Sequence, residues 1–356
     1  MKKQKIKLIQ FLLTYLIHFT YKNTIHKQHF LFNFINITLI ILLNIAIIIK
    51  YEQGAQVMNI QMFNGWYFLF LILSIGIFVG IYFLLKNKKE KTIKIVLLSL
   101  LIFAVVLHFI KPLFPPYSTD ESRMLRDSWF VNICAANIAL FPIFFCCKNK
   151  HLKDYMFYLG VISGLLSIIY PMEPIAKSNQ AGEWIDIIRF YIHHNILWHV
   201  PLLMVLLKIH KINYHRVWST PLILLLVMLF IMLNQIFQSE LGFIPLRNSD
   251  MFDINYKNSS LIWGPDDEVG KILTWACPDV FKTIPFGEFA GQEKYWPWFW
   301  LIFPCFIILT PICFLVSLVF ERKHLVEDIK SLKLKYNTWK ETKEAKTTTH
   351  LDNNNE

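Results

Sequence analysis

Apolar residues in this chain come in runs of about twenty, and that length constrains the fold more than any single motif. At a rise of ~1.5 Å per residue, about 20 residues cover the ~30 Å hydrocarbon layer of a bilayer. Eight such runs are legible, at about 30–49, 65–85, 95–112, 128–147, 155–172, 186–207, 217–237 and 296–319. Inside lipid every backbone polar group must be satisfied within its own segment, so runs of this length read as helices. The expected fold is an all-α polytopic membrane protein with about 8 transmembrane helices. Trp66, Trp129, Trp184, Trp218, Trp296 and Trp298 fall near the ends of runs, where amphipathic rings sit at the lipid–water boundary. An earlier stretch, Ile6–Phe19, is shorter and carries Lys7, Gln10 and His18, which suits an interfacial helix. It lacks the small-x-small site of a cleaved signal peptide.

Composition agrees with the runs. Of 356 residues, 55% are hydrophobic and 17% charged, which excludes a water-soluble enzyme, a disordered scaffold and a disulfide-rich secreted module. The six cysteines show no CxxC pairing and no metal-ligand spacing. Most read as small buried hydrophobes; Cys134 is treated separately below. The net charge of +11 is a topology signal rather than a nucleic-acid footprint. Segments 1–29, 86–94, 148–154, 208–216 and 320–356 carry 25 of the 36 Lys and Arg residues. Those segments alternate along the chain, so both termini are expected in the cytoplasm. The opposite segments, among them the loop 238–295, then lie outside. That loop holds nine Asp and Glu against five Lys and Arg, and its Gly-Pro and Cys-Pro turns predict an ordered cap. The organisation expected is an interfacial helix and an extra first span over 1–64, a seven-helix core over 65–319, and a charged tail over 320–356.

Polar groups inside a span are costly and mark a site, a pathway or a helix contact. The run entering near Ser128 carries Asn132, Cys134 and Asn137, and the run entering near Asp186 carries Arg189, His193, His194, Asn195 and His199. The run leaving at 237 ends in Asn234, Gln235 and Gln238. Counting from the run starts places Cys134 roughly 9 Å and His194 roughly 12 Å below the outer face. Helix–helix hydrogen bonding explains some of these amides, but two histidines and an arginine exceed what bridging requires.

Three chemistries fit. A histidine that takes the proton of Cys134 makes a thiolate nucleophile for acyl esters. Asn132, Asn137, Asn195 and Gln235 then offer oxyanion or tautomer-holding contacts. A zinc site from His193, His194 and His199 with Glu173 or Asp186 is disfavoured, because adjacent helical residues point about 100° apart. Transport through the polar layer lacks the repeats and broken helices it usually brings.

Residues 65 to 319 resemble the YwaF family of bacterial integral membrane proteins, relatives of the transmembrane protein 164 acyltransferases. Three places carry the resemblance: Trp129-Phe-Val-Asn-Ile-Cys134 leading to Pro142 and Lys148-Asn-Lys150, Arg189-Phe-Tyr-Ile-His-His-Asn195, and Tyr295-Trp-Pro-Trp-Phe-Trp300. The resemblance implies acyl transfer between phospholipids, with Cys134 as nucleophile and His194 as base. This chain departs from the family at His193, where Ser is usual, and at Asn195, where Gly is usual. His193 is therefore an alternative base. Asn132, Asn137 and Arg189 are expected to position the head group or oxyanion. No cofactor and no metal are expected, and the expected partners are membrane phospholipids. Abundant Ile, Lys, Asn and Phe fits an A/T-rich genome and hence a bacterial plasma membrane. The competing expectation is a non-enzymatic transporter or binding subunit for a small solute or lipid.

Overall fold

The computed structural model describes residues 59–178, 180, 183–242, 261–265, 267–287 and 289–352. The stretch Ile6–Phe19, the run 30–49 and the middle of the 238–295 loop lie outside the described residues. Among the described residues the chain is helical and contains no strand, only an isolated bridge between Thr283 and Glu293.

The helices are α1 (Gly65–Leu85), α2 (Glu90–Phe109), α3 (Glu121–Asp127), α4 (Ile133–Cys146), α5 (Lys150–Ile169), α6 (Met172–Lys177), α7 (Trp184–Leu206), α8 (Ser219–Glu240) and α9 (Asp267–Thr274). A helical turn, Ile302–Pro304, and a π-helical turn, Cys305–Leu309, then lead into α10 (Thr310–Asp352). Asparagine side chains start several of them by accepting an otherwise orphaned backbone N–H. Asn64 caps α1 through Tyr67, Asn132 caps α4 through Ala135, and Asn149 caps α5 through His151.

Among the described residues, five helical segments are long and apolar enough to cross a membrane: Gly65–Leu85, Glu90–Phe109, Lys150–Lys177, Ser219–Glu240 and Phe299–Lys343. Their outer faces leave large apolar side chains uncovered, such as Ile72, Ile75 and Phe83 on α1 and Leu226 and Leu233 on α8. Uncovered apolar faces of this kind are what lipid chains cover. The fold is that of an all-α polytopic membrane protein.

Two runs differ from their expected bounds. The run 128–147 becomes helical only at Ile133, because the Asn132 cap fixes the start and leaves 128–132 as a coil. The run 296–319 continues as helix through the charged tail, with non-helical backbone at Glu321 marking where the apolar segment gives way.

The most extensive pairing in the bundle is between α5 and α7. Its basis is two glycines. A Cβ on Gly160 would lie 2.4 Å from the Leu197 carbonyl oxygen, and one on Gly164 would lie 2.8 Å from Trp198 Cβ and 2.9 Å from the His194 carbonyl oxygen. Small residues let helix backbones touch where lipid gives no hydrophobic incentive to associate. On its other flank α7 packs on α1. Tyr191 stacks on Phe70 with ring centroids 3.9 Å apart, Trp198 stacks on Phe78, and His199 Nε2 donates to the Ser74 carbonyl at 3.1 Å.

Gly160→Ala is expected to destabilise the protein by about 1–3 kcal/mol, the usual cost of forcing extra volume into a packed contact. Gly76→Ala on α1, where nothing stands within 4 Å of the added atom, is expected to be neutral or mildly stabilising. Melting temperatures in detergent read the contrast, and equal values for the two variants would contradict the close α5–α7 approach.

Candidate active site

Cys134 sits in the first turn of α4, one residue past its start, so the helical rise counted from residue 128 does not apply to it. The coil 128–132 replaces the missing turns. Asn234 Nδ2 donates to the Phe130 carbonyl at 3.4 Å and Gln235 Nε2 to the Val131 carbonyl at 3.3 Å. The end of α8 therefore holds the segment that delivers Cys134. His194 lies ten residues into α7, roughly 15 Å along its axis. A cavity of about 350 Å³ joins the two levels. Cys134, Asn132, Arg189, His193 and His194 all line it.

The two histidines carry opposite hydrogen-bond assignments. His194 Nδ1 lies 2.8 Å from the Phe190 carbonyl oxygen, which can only accept, so Nδ1 carries the proton and Nε2 the lone pair. His193 Nδ1 lies 3.1 Å from Nη1 of Arg189, which can only donate, so its lone pair is engaged and its proton is on Nε2. That Nε2–H is buried and has no hydrogen-bond partner among the described residues.

Arg189 is itself fixed. Its Nε donates to Asp186 Oδ1 at 2.7 Å, and the same carboxylate takes a hydrogen bond from the Tyr117 hydroxyl at 3.0 Å and pairs with Lys177. Burial pushes the Tyr117 phenol up to about 12, so the hydroxyl keeps its proton and donates. Arg123 forks onto both carboxylate oxygens of Glu183, at 2.5 and 3.1 Å, and lies over the Tyr117 ring. Cations and carboxylates thus alternate around Tyr117, which lines the cavity. Lys111 and Lys177 line it with Asp127 and Glu173.

A family model for the TMEM164 family matches residues 26–317. The chain belongs to the TMEM164 family. The match takes in the run 30–49 as well as the residues from 65 onward. No curated protein and no solved structure matches this member of the TMEM164 family.

Three residues singled out in the sequence stand away from the cavity, each with a local partner. Asn137 accepts from the Tyr155 hydroxyl at 2.9 Å between α4 and α5. Asn195 faces α1, accepting from Ser74 and from Trp198 Nε1. Gln235 accepts from Trp263 Nε1 at 2.7 Å while it holds Val131. His199, in the disfavoured zinc set, also turns to α1.

The sequence reading omitted His108, Lys111 and Tyr117, which line the same cavity. His108 is buried and lies with its ring centroid 6.1 Å from that of His193. An ionisable group in the last turn of an apolar run was the available signal. Lys111 and Tyr117 lie in a connection whose fold over the helix ends has no sequence signature.

Nitrogen-15 spectra of histidine-labelled protein are expected to show His194 protonated on Nδ1 and His193 on Nε2. The reverse pattern would leave His194 without a lone pair for Cys134. Asp186→Ala, which strands Arg189 and Lys177 without their shared carboxylate, is expected to cost about 3–5 kcal/mol in unfolding measurements.

Proposed function

We propose that the protein moves an acyl chain from a phospholipid to a lysolipid, or to a similar hydroxyl or amine acceptor, through a thioester on Cys134. One observation carries the reading. Cys134 and His194 line a single cavity, and the bond from His194 Nδ1 to Phe190 leaves Nε2 able to accept a proton.

In the first half-reaction His194 Nε2 takes the thiol proton and the sulfur lone pair attacks the ester carbonyl carbon. The C–S bond forms as the carbonyl π pair moves onto oxygen. Collapse breaks the ester C–O bond, and the departing lysolipid oxygen receives the proton from His194. In the second half-reaction the acceptor gives its proton to His194 and attacks the thioester carbonyl. The C–S bond breaks, and the sulfur recovers the proton. A lipid ester is activated enough for this exchange without a cofactor.

The surrounding groups take distinct parts. His193, held as the Nε2–H tautomer by Arg189, is a donor for the oxyanion rather than a second base. The Asn132 side-chain oxygen is committed to its cap, which leaves its N–H groups as further donors. Arg189 supplies a permanent charge for the head-group phosphate, and its orientation is fixed by Asp186. Asn137, Asn195 and Gln235 act at one remove, by holding α4, α7 and the coil before Cys134. With the charge count as the guide to orientation, the cavity opens toward the outer leaflet of a bacterial plasma membrane.

Purified protein incubated with an acyl-labelled phospholipid is expected to carry the label on the Cys134 peptide, read by mass spectrometry and released by hydroxylamine. Cys134→Ala abolishes both label and transfer. His194→Ala lowers transfer by roughly two to four orders of magnitude, and His193→Ala by about two to three. Equal remodelling by wild type and Cys134→Ala would sink the proposal. Vesicle uptake of solute that survives loss of the thiol would identify a transporter instead.

A further inference from the structure

The opposite end of α7 carries a second cluster of titratable groups. The loop between α7 and α8 folds against α10 just past Glu321, and His215, His324 and Asp328 meet there with their ligand atoms within 4.8 Å of one another. His324 and Asp328 are four apart and share one face of the helix. His215 comes from the 3-10 turn Tyr214–Arg216, whose preceding Asn213 accepts the His215 backbone N–H at 2.8 Å.

We propose that these three side chains bind one Zn²⁺ ion, a site separate from the Cys134 cavity. The orientation of the rings is the main support. His324 Nδ1 lies 3.0 Å from Glu321 Oε2 and donates to it, which places the lone pair on Nε2. A carboxylate behind a histidine in this way fixes the ring of a metal ligand and raises its basicity. His324 Nε2 then stands 3.8 Å from Asp328 Oδ2, beyond hydrogen-bond range. His215 Nε2 lies 3.0 Å from the same oxygen and donates to it, so an arriving ion takes the place of that proton. Ligands of a tetrahedral zinc ion, each at ~2.0–2.1 Å, stand roughly 3.3 Å apart, so only a small closure brings the three atoms onto one ion.

The flanking groups hold this geometry. The Tyr214 hydroxyl donates to Asp328 Oδ2, and its ring packs against both imidazoles, with centroids 4.2 Å from His215 and 5.6 Å from His324. The donor set of two imidazole nitrogens and one carboxylate oxygen suits zinc and disfavours magnesium and calcium, which take oxygen ligands. His215 is exposed, so water reaches the fourth position. The ion joins the α7–α8 loop to the charged continuation of the last helix, which by the charge count is on the cytoplasmic side.

The test uses the full chain in detergent, purified without a histidine tag, stripped with a chelator and titrated calorimetrically with ZnCl₂. The expected result is one ion per chain. His215→Ala and Asp328→Asn are each expected to weaken binding at least tenfold, and Glu321→Gln by about 10- to 100-fold. MgCl₂ should give no saturable heat. The His215→Ala substitution lies on an exposed turn, and an unchanged melting temperature without metal shows that the variant is folded. Absence of saturable ZnCl₂ binding, or stoichiometric binding retained in a His215→Ala/His324→Ala double variant, would overturn the proposal. So would loss of binding in His193→Ala/His194→Ala, which would move the ion to the membrane cavity. Acyl labelling of Cys134 is measured on the same samples, so failure of the zinc site and failure of the acyl-transfer reading are told apart.

Discussion

The contact of α5 with α7 through Gly160 and Gly164 is the constraint on which the remaining geometry depends. Lipid surrounds the bundle with an environment as apolar as its own side chains, so association between helices must come from close packing and hydrogen bonds. The two glycines bring one backbone against the other, and the Gly164 contact falls on the His194 carbonyl itself. With α7 held there on one flank and stacked on α1 on the other, Arg189, Phe190, His193 and His194 are presented to the cavity. The α1-facing stripe of Tyr191, Asn195, Trp198 and His199 is spent on packing.

Charge is handled by concentration at one end of the bundle. Arg123, Lys177 and Arg189 would each be expensive near lipid if isolated. They instead share Glu183, Glu173 and Asp186, with the Tyr117 ring and hydroxyl between them. Breaking such a set costs more than the set contributes, because the surviving members are left buried and uncompensated. The network is therefore better understood as the means of fixing Arg189, and through it the His193 tautomer, than as a source of stability.

Apolar run length alone makes the helical, polytopic architecture legible, and the rule that ionisable groups inside spans are costly leads to Cys134, Arg189, His193 and His194. That rule could not separate residues on adjacent faces. Asn195 follows His194 by one residue, and the ~100° step carries it from the cavity to α1. Asn137 and Gln235 have the right chemistry and depth, but Tyr155, Trp263 and the Val131 carbonyl claim them. The helical start before Cys134 is not legible, because an apolar run does not say where a helix begins, and the Asn132 cap does. Lys111 and Tyr117 reach the cavity through the folding of the 110–130 connection, which depends on tertiary contacts absent from any local pattern, whereas His108 is an ionisable group in the last turn of an apolar run.

Gln235 links two things that are far apart in the chain. Its oxygen receives Trp263 and its nitrogen holds Val131, three residues before the cysteine. Trp263 is buried, and the entry to the last helix closes over it, with Trp300 Nε1 donating to the carbonyls of Leu261 and Ile262. The 261–265 segment and the coil before the thiol consequently share one amide. Trp263 fixes the rotation of the amide that holds Val131, so a change at residue 263 reaches the approach to the thiol without touching the cavity.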